Sequence, residues 1–152
     1  MRHPSLIPLA HDHHHGLALA LRCRKQALGQ MKPVGVQGLR ERAEEFRNFV
    51  SKNLDRHFQA EEEILFPLIR SCIPKGRSLV EDLLGEHEQI RNWARRLEGN
   101  TDLAKILFDL GDLLERHIRR EERELFPLFE SHVTAAEAEG LQREIKRILE
   151  TC

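Results

Sequence analysis

The segment His57-Phe-Gln-Ala-Glu61-Glu62-Glu-Ile-Leu65-Phe66-Pro67-Leu68 returns 60 residues later as His117-Ile-Arg-Arg-Glu121-Glu122-Arg-Glu-Leu125-Phe126-Pro127-Leu128. Each copy sets a histidine four residues before a carboxylate, inside an apolar pattern of helical period. On a helix that spacing puts both side chains on one face, one turn apart. Two such pairs aimed at each other would make a site for two cations.

Outward from these segments the pattern stays helical. A first helix is expected from about Ser5 or Pro8 to Ala27, with Pro8 in its first turn and its end near Gly29. Breakers fill the loop from Gly29 to Gly35. A long second helix runs from about Gln37 to Ser71, closed by Ile73-Pro74-Lys-Gly76. The third runs from an N-cap at Ser78 to Leu97, and Gly99-Asn100 stops it. The fourth starts near Thr101 or Asp102 and ends near Ser131. Pro67 and Pro127 each remove a backbone donor and should kink or end their helices. Short connections make the fold all-α, an up-down-up-down four-helix bundle over about 6–130. A short fifth helix over about 134–150, with apolar Leu141, Ile145, Ile148 and Leu149, is expected outside the bundle. No domain boundary interrupts residues 1–152.

Composition narrows the function. Lys+Arg is 24 and Asp+Glu is 25, for a net charge of -1. Such a balance favours neither nucleic acid nor membrane surfaces as partners. No stretch approaches the roughly 20 apolar residues of a membrane span. Cys23, Cys72 and Cys152 form no paired motif, and no leader is visible, which points to reduced thiols in the cytoplasm.

Heptad registers decide which way the histidines point. Ala43, Val50, His57 and Ile64 share one register, and Leu54, Glu61 and Leu68 a neighbouring one. Leu103, Leu110 and His117 align, as do Leu107, Leu114, Glu121 and Leu128. Leu83, His87, Ile90, Ala94 and Leu97 form one stripe. The histidines and glutamates thus take core positions, where an uncompensated carboxylate costs several kcal/mol. The first helix adds a histidine through Leu9-Ala-His-Asp12-His13, which parallels Leu83-Leu-Gly-Glu86-His87 and favours His13. The rival is His14, aligned with Leu21 and Leu28. At about 1.5 Å per residue, His13, His57, Glu61, His87, His117 and Glu121 all lie within about 8–21 Å of the same bundle end. One layer can contain them.

Four imidazoles and two carboxylates suit paired ions such as iron. Six protein ligands cannot saturate two six-coordinate irons, so positions remain for an oxo or hydroxo bridge and for a diatomic or peroxide. Positions 54, 84 and 114 are leucine, which excludes the Glu-x-x-His pairs of ferritin-like sites. Glu62 and Glu122 are expected to face solvent or support the ligands. His3, His11, His15 and His132 are expected at the surface, and Phe66, Trp93, Phe126 and Phe129 in the core. Leu17, Leu54, Ile90 and Leu114 are expected to line the site, and Cys23 and Cys72 to be structural.

The two His-x-x-x-Glu-Glu-x-x-Leu-Phe-Pro segments, with Leu-Leu-Gly-Glu-His87 between them, resemble the hemerythrin-like, or HHE cation-binding, family over about residues 6–130. The resemblance implies a bundle holding two non-haem irons, with His57, His87 and His117 as ligands and Glu61 and Glu121 as bridges. His13 then matches the family's first-helix histidine. Oxygen-carrying members have a second histidine four residues after the third-helix one, where this chain has Arg91. That departure makes the site resemble the family's sensors and iron-centre repair proteins more than a reversible carrier, and the leading reading is a protein that binds or senses O2, peroxide or nitric oxide, with weak redox activity. The redox partner is unspecified. The alternative is iron storage or delivery, or repair of damaged iron centres; a plain metal-free bundle is the third.

Overall fold

Leucine, isoleucine and alanine recur at helical spacing through the chain, and the computed structural model, which describes residues 2–99 and 102–150, is helical with no strand among them. Four long helices and one shorter helix follow in order. A 3-10 turn, Pro4–Leu6, leads into α1, Ile7–Ala27, with a proline in its first turn. α2 spans residues 36–72 as one rod of α-helical pieces joined by π turns at Val50–Leu54 and Glu61–Leu65. After the 3-10 turn Pro74–Gly76 comes α3, Arg77–Arg95. α4 spans residues 103–132, with a π turn at Glu121–Leu125. α5 is Ala135–Leu149.

The ends follow local chemistry. Gly29, at φ 72°, closes α1, with the Gln30 N–H donating to the Lys25 carbonyl and the Gly29 N–H to that of Gln26. This is the paired closure a left-handed glycine permits. Thr134 caps α5 by accepting from the Glu137 N–H, while the Glu137 carboxylate accepts from the Thr134 N–H. Such a box satisfies two end donors reciprocally. Ser78 is not an N-cap: α3 grows from the preceding 3-10 turn and Gly76 holds the cap position. Asn100, Thr101 and Cys152 lie outside the described residues.

The prolines do not end their helices. Each sits in the first turn of the helical piece that follows a π turn, and the chain stays helical to Cys72 and His132. In both π turns the closing N–H, of Phe66 or Phe126, donates to the carbonyl of Glu61 or Glu121. The extra residue in each turn shifts the inward face. Leu65, Phe66 and Ile69 are buried in α2, while Ile64 and Leu68 are only partly so. In α4 it is Leu125, Phe126 and Phe129, with Leu128 partly exposed. A uniform heptad cannot register an inserted residue, which is why the expected stripes through Ile64, Leu68 and Leu128 fail. At the turn Val50–Leu54, Val50 is only partly buried, while Leu54 is buried as its register implies.

α1 packs most extensively on α4. Two glycines permit it. A Cβ at Gly16 would lie 2.7 Å from Ile118 Cδ1, and one at Gly111 would lie 2.7 Å from the Ala20 carbonyl oxygen. The neighbours run in opposite directions: His13 meets Glu121, Gly16 meets Ile118, Ala20 meets Gly111. Two apolar clusters result. One holds Leu9, Leu65, Phe66, Leu83 and Phe126, the other Leu19, Phe46, Phe58, Ile90, Leu110 and Leu114. α5 is less peripheral than expected. Ala138, Leu141, Ile145 and Ile148 are buried in the first cluster with Leu6 and Ala60, while Leu149 is partly buried. An apolar stripe on a helix needs such a partner face.

Candidate metal centre

Between the two clusters lies a polar layer. α1 supplies His13, α2 His57 and Glu61, α3 His87, and α4 His117 and Glu121. None is more than 3% exposed. The structure therefore brings together all six residues singled out by the sequence. His14 is exposed, as are Leu21 and Leu28 in its register, so the first helix turns His13 inward. His11, His15 and His132 are exposed and His3 is half-buried.

The ligand atoms fall into two overlapping groups. His13, His57, Glu61 and Glu121 form one, and Glu61, His87, His117 and Glu121 the other, each with its atoms within 4.8 Å of one another. Both carboxylates belong to both groups. Glu61 Oε1 lies 3.0 Å from His87 Nε2, and Oε2 lies 3.3 Å from His57 Nε2. Glu121 Oε1 lies 3.1 Å from His13 Nε2, and Oε2 lies 3.0 Å from His117 Nε2. These approaches lack hydrogen-bond geometry. Both oxygens of each glutamate, both nitrogens of His13 and the Nε2 atoms of His87 and His117 are buried without a hydrogen-bond partner. Such a concentration of buried, unsatisfied acceptors is costly unless positive charge compensates it.

The electrostatics agree. Burial works against a charged His57, yet Glu61 and Asp12 hold its pKa well above the ordinary value. Burial also opposes charge on His87, but the facing carboxylates of Glu121, Glu61 and Glu62 push it up to about 10. His13 and His117 are raised against burial by Glu121, helped by Glu122 and Glu86 respectively. Burial would raise Glu121, but His117 and its other partners hold it well below the usual range. A layer that draws protons onto four buried imidazoles is short of positive charge from the protein itself. Imidazole nitrogens and bridging-capable carboxylates are suitable donors for transition-metal ions, so the residues present fit such a group.

Each imidazole is also approached from behind. Nδ1 of His57 lies 3.1 Å from Asp12 Oδ2, that of His87 lies 2.6 Å from Glu62 Oε2, and that of His117 lies 2.7 Å from Glu86 Oε1. Nδ1 of His13 lies 3.6 Å from Glu122 Oε2. Despite partial burial, Glu62, Glu86 and Glu122 are held below the usual carboxylate range by these histidines and nearby arginines. As ionised acceptors, Glu62 and Glu86 fix Nδ1 as the donor and leave Nε2 facing inward. The pattern has a two-fold character. The acid before one helix's histidine serves a neighbouring histidine, and the acid after each inward glutamate serves the histidine of another helix. Asp12 and Glu86 were legible only as the acid of two acid–histidine dipeptides, which marked His13 but not their own contacts.

Arg91 does not enter the layer. It grips Glu62 at 2.9 and 3.3 Å and lies over the Phe58 ring at 5.2 Å. Phe58 stacks on His87 with centroids 3.7 Å apart, Phe66 packs beyond at 5.5 Å, and Phe126 stacks on His13. Phe66 and Phe126 are therefore both core and site wall. A small cavity of about 10 Å³ adjoins His13, His57 and His117, roughly the room one water-sized molecule needs. Leu54 and Leu114 line it as expected. Leu17 and Ile90 do not; Gly16, Phe49, Phe58 and Ile118 do. Burial pushes the Cys23 thiol up to about 12, which leaves it unreactive, whereas Cys72 is exposed and donates to Glu137.

The family pattern described as hemerythrin HHE cation binding domain matches residues 5–129. A protein named DNA nickase from Nostoc sp. (strain PCC 7120) is 26% identical over 110 residues, covering 70% of this chain and 31% of that protein. The chain thus spans about a third of the length of that relative. No solved structure matches the chain.

Proposed function

The chain belongs to the hemerythrin HHE cation-binding domain family, and from that premise we propose that it is a non-haem di-iron protein that binds or senses O2, peroxide or nitric oxide. The observation that supports this most is the sharing of Glu61 and Glu121 between two histidine pairs. Two cations held side by side need bridging carboxylates, and one cation would leave a histidine pair uncompensated. His13 and His57 would hold one iron, His87 and His117 the other. We read the four long helices as an up-down-up-down bundle, which brings these residues to one level.

Bound there, the irons would supply ferrous–ferric redox chemistry and open positions for a small ligand. The protein's own part is different. Asp12, Glu62 and Glu86 orient imidazoles through Nδ1. The aromatic walls and Leu54 and Leu114 restrict water. The six donors leave coordination positions over, and Arg91 is committed to Glu62 rather than to the layer. That arrangement favours a reactive or sensing site over a saturated storage site. The relative's name speaks of DNA cleavage, but less than a third of that protein is matched, so this activity is not carried over.

The test is metal analysis with absorption spectroscopy after iron-replete expression, followed by stopped-flow mixing with O2 and with nitric oxide. The expected result is about two irons per chain, from the ligand count, and a spectral change with at least one gas. Two exchangeable irons inert to both gases would favour iron storage or delivery instead.

A further inference from the structure

Four histidines fall within five residues of α1, at positions 11, 13, 14 and 15. His13 turns into the buried layer, while His11, His14 and His15 are exposed. His11 and His15 stand one helical turn apart, and their rings meet edge to face with centroids 5.1 Å apart. Neither ring hydrogen-bonds or ion-pairs with another described residue. This sets them apart from the buried histidines, each of which faces a carboxylate. His14 is a neighbour in sequence, but its ring meets neither of theirs.

Two imidazoles at i and i+4 on one helix face are a spacing by which helices chelate a metal. Metal–imidazole bonds are about 2.0–2.1 Å, so two ligating nitrogens must come within roughly 4 Å of each other. Rings already in contact on exposed, unanchored side chains reach that separation by side-chain rotation alone. Ordering one side chain already brings its neighbour to the ion. The donor set is imidazole without carboxylate, which selects borderline ions such as Zn, Ni or Cu over Mg or Ca. Water would complete the coordination shell, because the site faces solvent.

We propose that His11 and His15 form a second, exposed site for one borderline divalent transition-metal ion, distinct from the buried centre. The site depends on two side chains at the surface of α1 and on none of the six buried residues.

Equilibrium dialysis of the full chain against Ni2+ at neutral pH tests this. The protein with both His11→Gln and His15→Gln should bind one Ni2+ fewer than the parent. Each single change should weaken that ion by at least about tenfold, because the second ligand no longer acts from high effective concentration. His14→Gln should retain it. Glutamine is a good helix former, so these exposed changes should leave the fold intact. As a second measurement, substoichiometric Cu2+ should broaden the ring resonances of His11 and His15 before those of His14. Equal Ni2+ binding by the parent and the double variant, or equal loss in His14→Gln, would overturn the assignment.

Discussion

Nδ1 of His87 lies 2.6 Å from Glu62 Oε2, and that carboxylate is gripped in turn by Arg91. Arginine, carboxylate and imidazole thus form one chain from the surface to the polar layer. Glu62 follows Glu61 directly, so α2 supplies both an inward carboxylate and the group that orients a histidine of α3.

This arrangement predicts the effect of Glu62→Ala. His87 would keep its aromatic walls but lose the bond that fixes its tautomer. Metal affinity should fall by about 10–100-fold, the usual effect of removing a partner that orients a ligand. Competition with a chelator of known affinity measures it. An unchanged affinity would remove Glu62 from the supporting role.

Glu61 and Glu121 each belong to both ligand groups. Glu61→Ala or Glu121→Ala should therefore lose one or both metals, whereas His14→Ala should lose none and change stability by less than about 0.5 kcal/mol, as exposed substitutions usually do. Metal counting and thermal unfolding read the two effects. Full metal content in both glutamate variants would refute their bridging role.

Raising the pH should lower the stability of the metal-free protein while strengthening its affinity for metal. A histidine whose pKa rises on folding stabilises below its unfolded value near 6.5, and that stability is lost as pH rises through its folded value. For His87 the loss runs up to about pH 10; His13, His57 and His117 shift in the same direction. Glu121 is lowered, so its contribution holds above its unfolded value and fails only as pH falls through its folded one. Chelator-stripped protein should thus melt at a lower temperature at pH 9 than at pH 6. Metal binding must expel the histidine protons, so affinity should rise over the same interval. Stripped protein that gains stability towards pH 9 would contradict the charge assignment.

The α1–α4 contact makes a stability prediction independent of metal. At Gly111 an added Cβ meets the Ala20 backbone carbonyl, which cannot move without shifting α1; at Gly16 it meets the flexible end of Ile118. Overpacking typically costs about 1–3 kcal/mol, while alanine gains up to about 1 kcal/mol over glycine in a helix. Gly111→Ala should be destabilising and Gly16→Ala close to neutral. Denaturant unfolding midpoints compare them, and equal effects would show that the helices can separate freely.

The sequence alone determined the helical class, the helix order and five residues of the buried layer, and it favoured the sixth, His13, which only the structure separated from His14. Those properties follow from local periodicity: His57 and Glu61, or His117 and Glu121, share a face because four residues make one turn. The acid–histidine parallel between Asp12-His13 and Glu86-His87 was enough to favour His13 over His14. The tertiary structure decided what crosses between helices. Asp12 orients His57 and Glu86 orients His117, over separations of 45 and 31 residues, where no local pattern records which helices are neighbours. It also decided the phase of each long helix beyond its glutamate. A π turn adds one residue to the ladder, so Leu65 and Phe129 turn inward where an unbroken period points to Ile64 and Leu128. Periodicity specifies a face only while the helix keeps one pitch, and here the pitch changes at the residues that build the site.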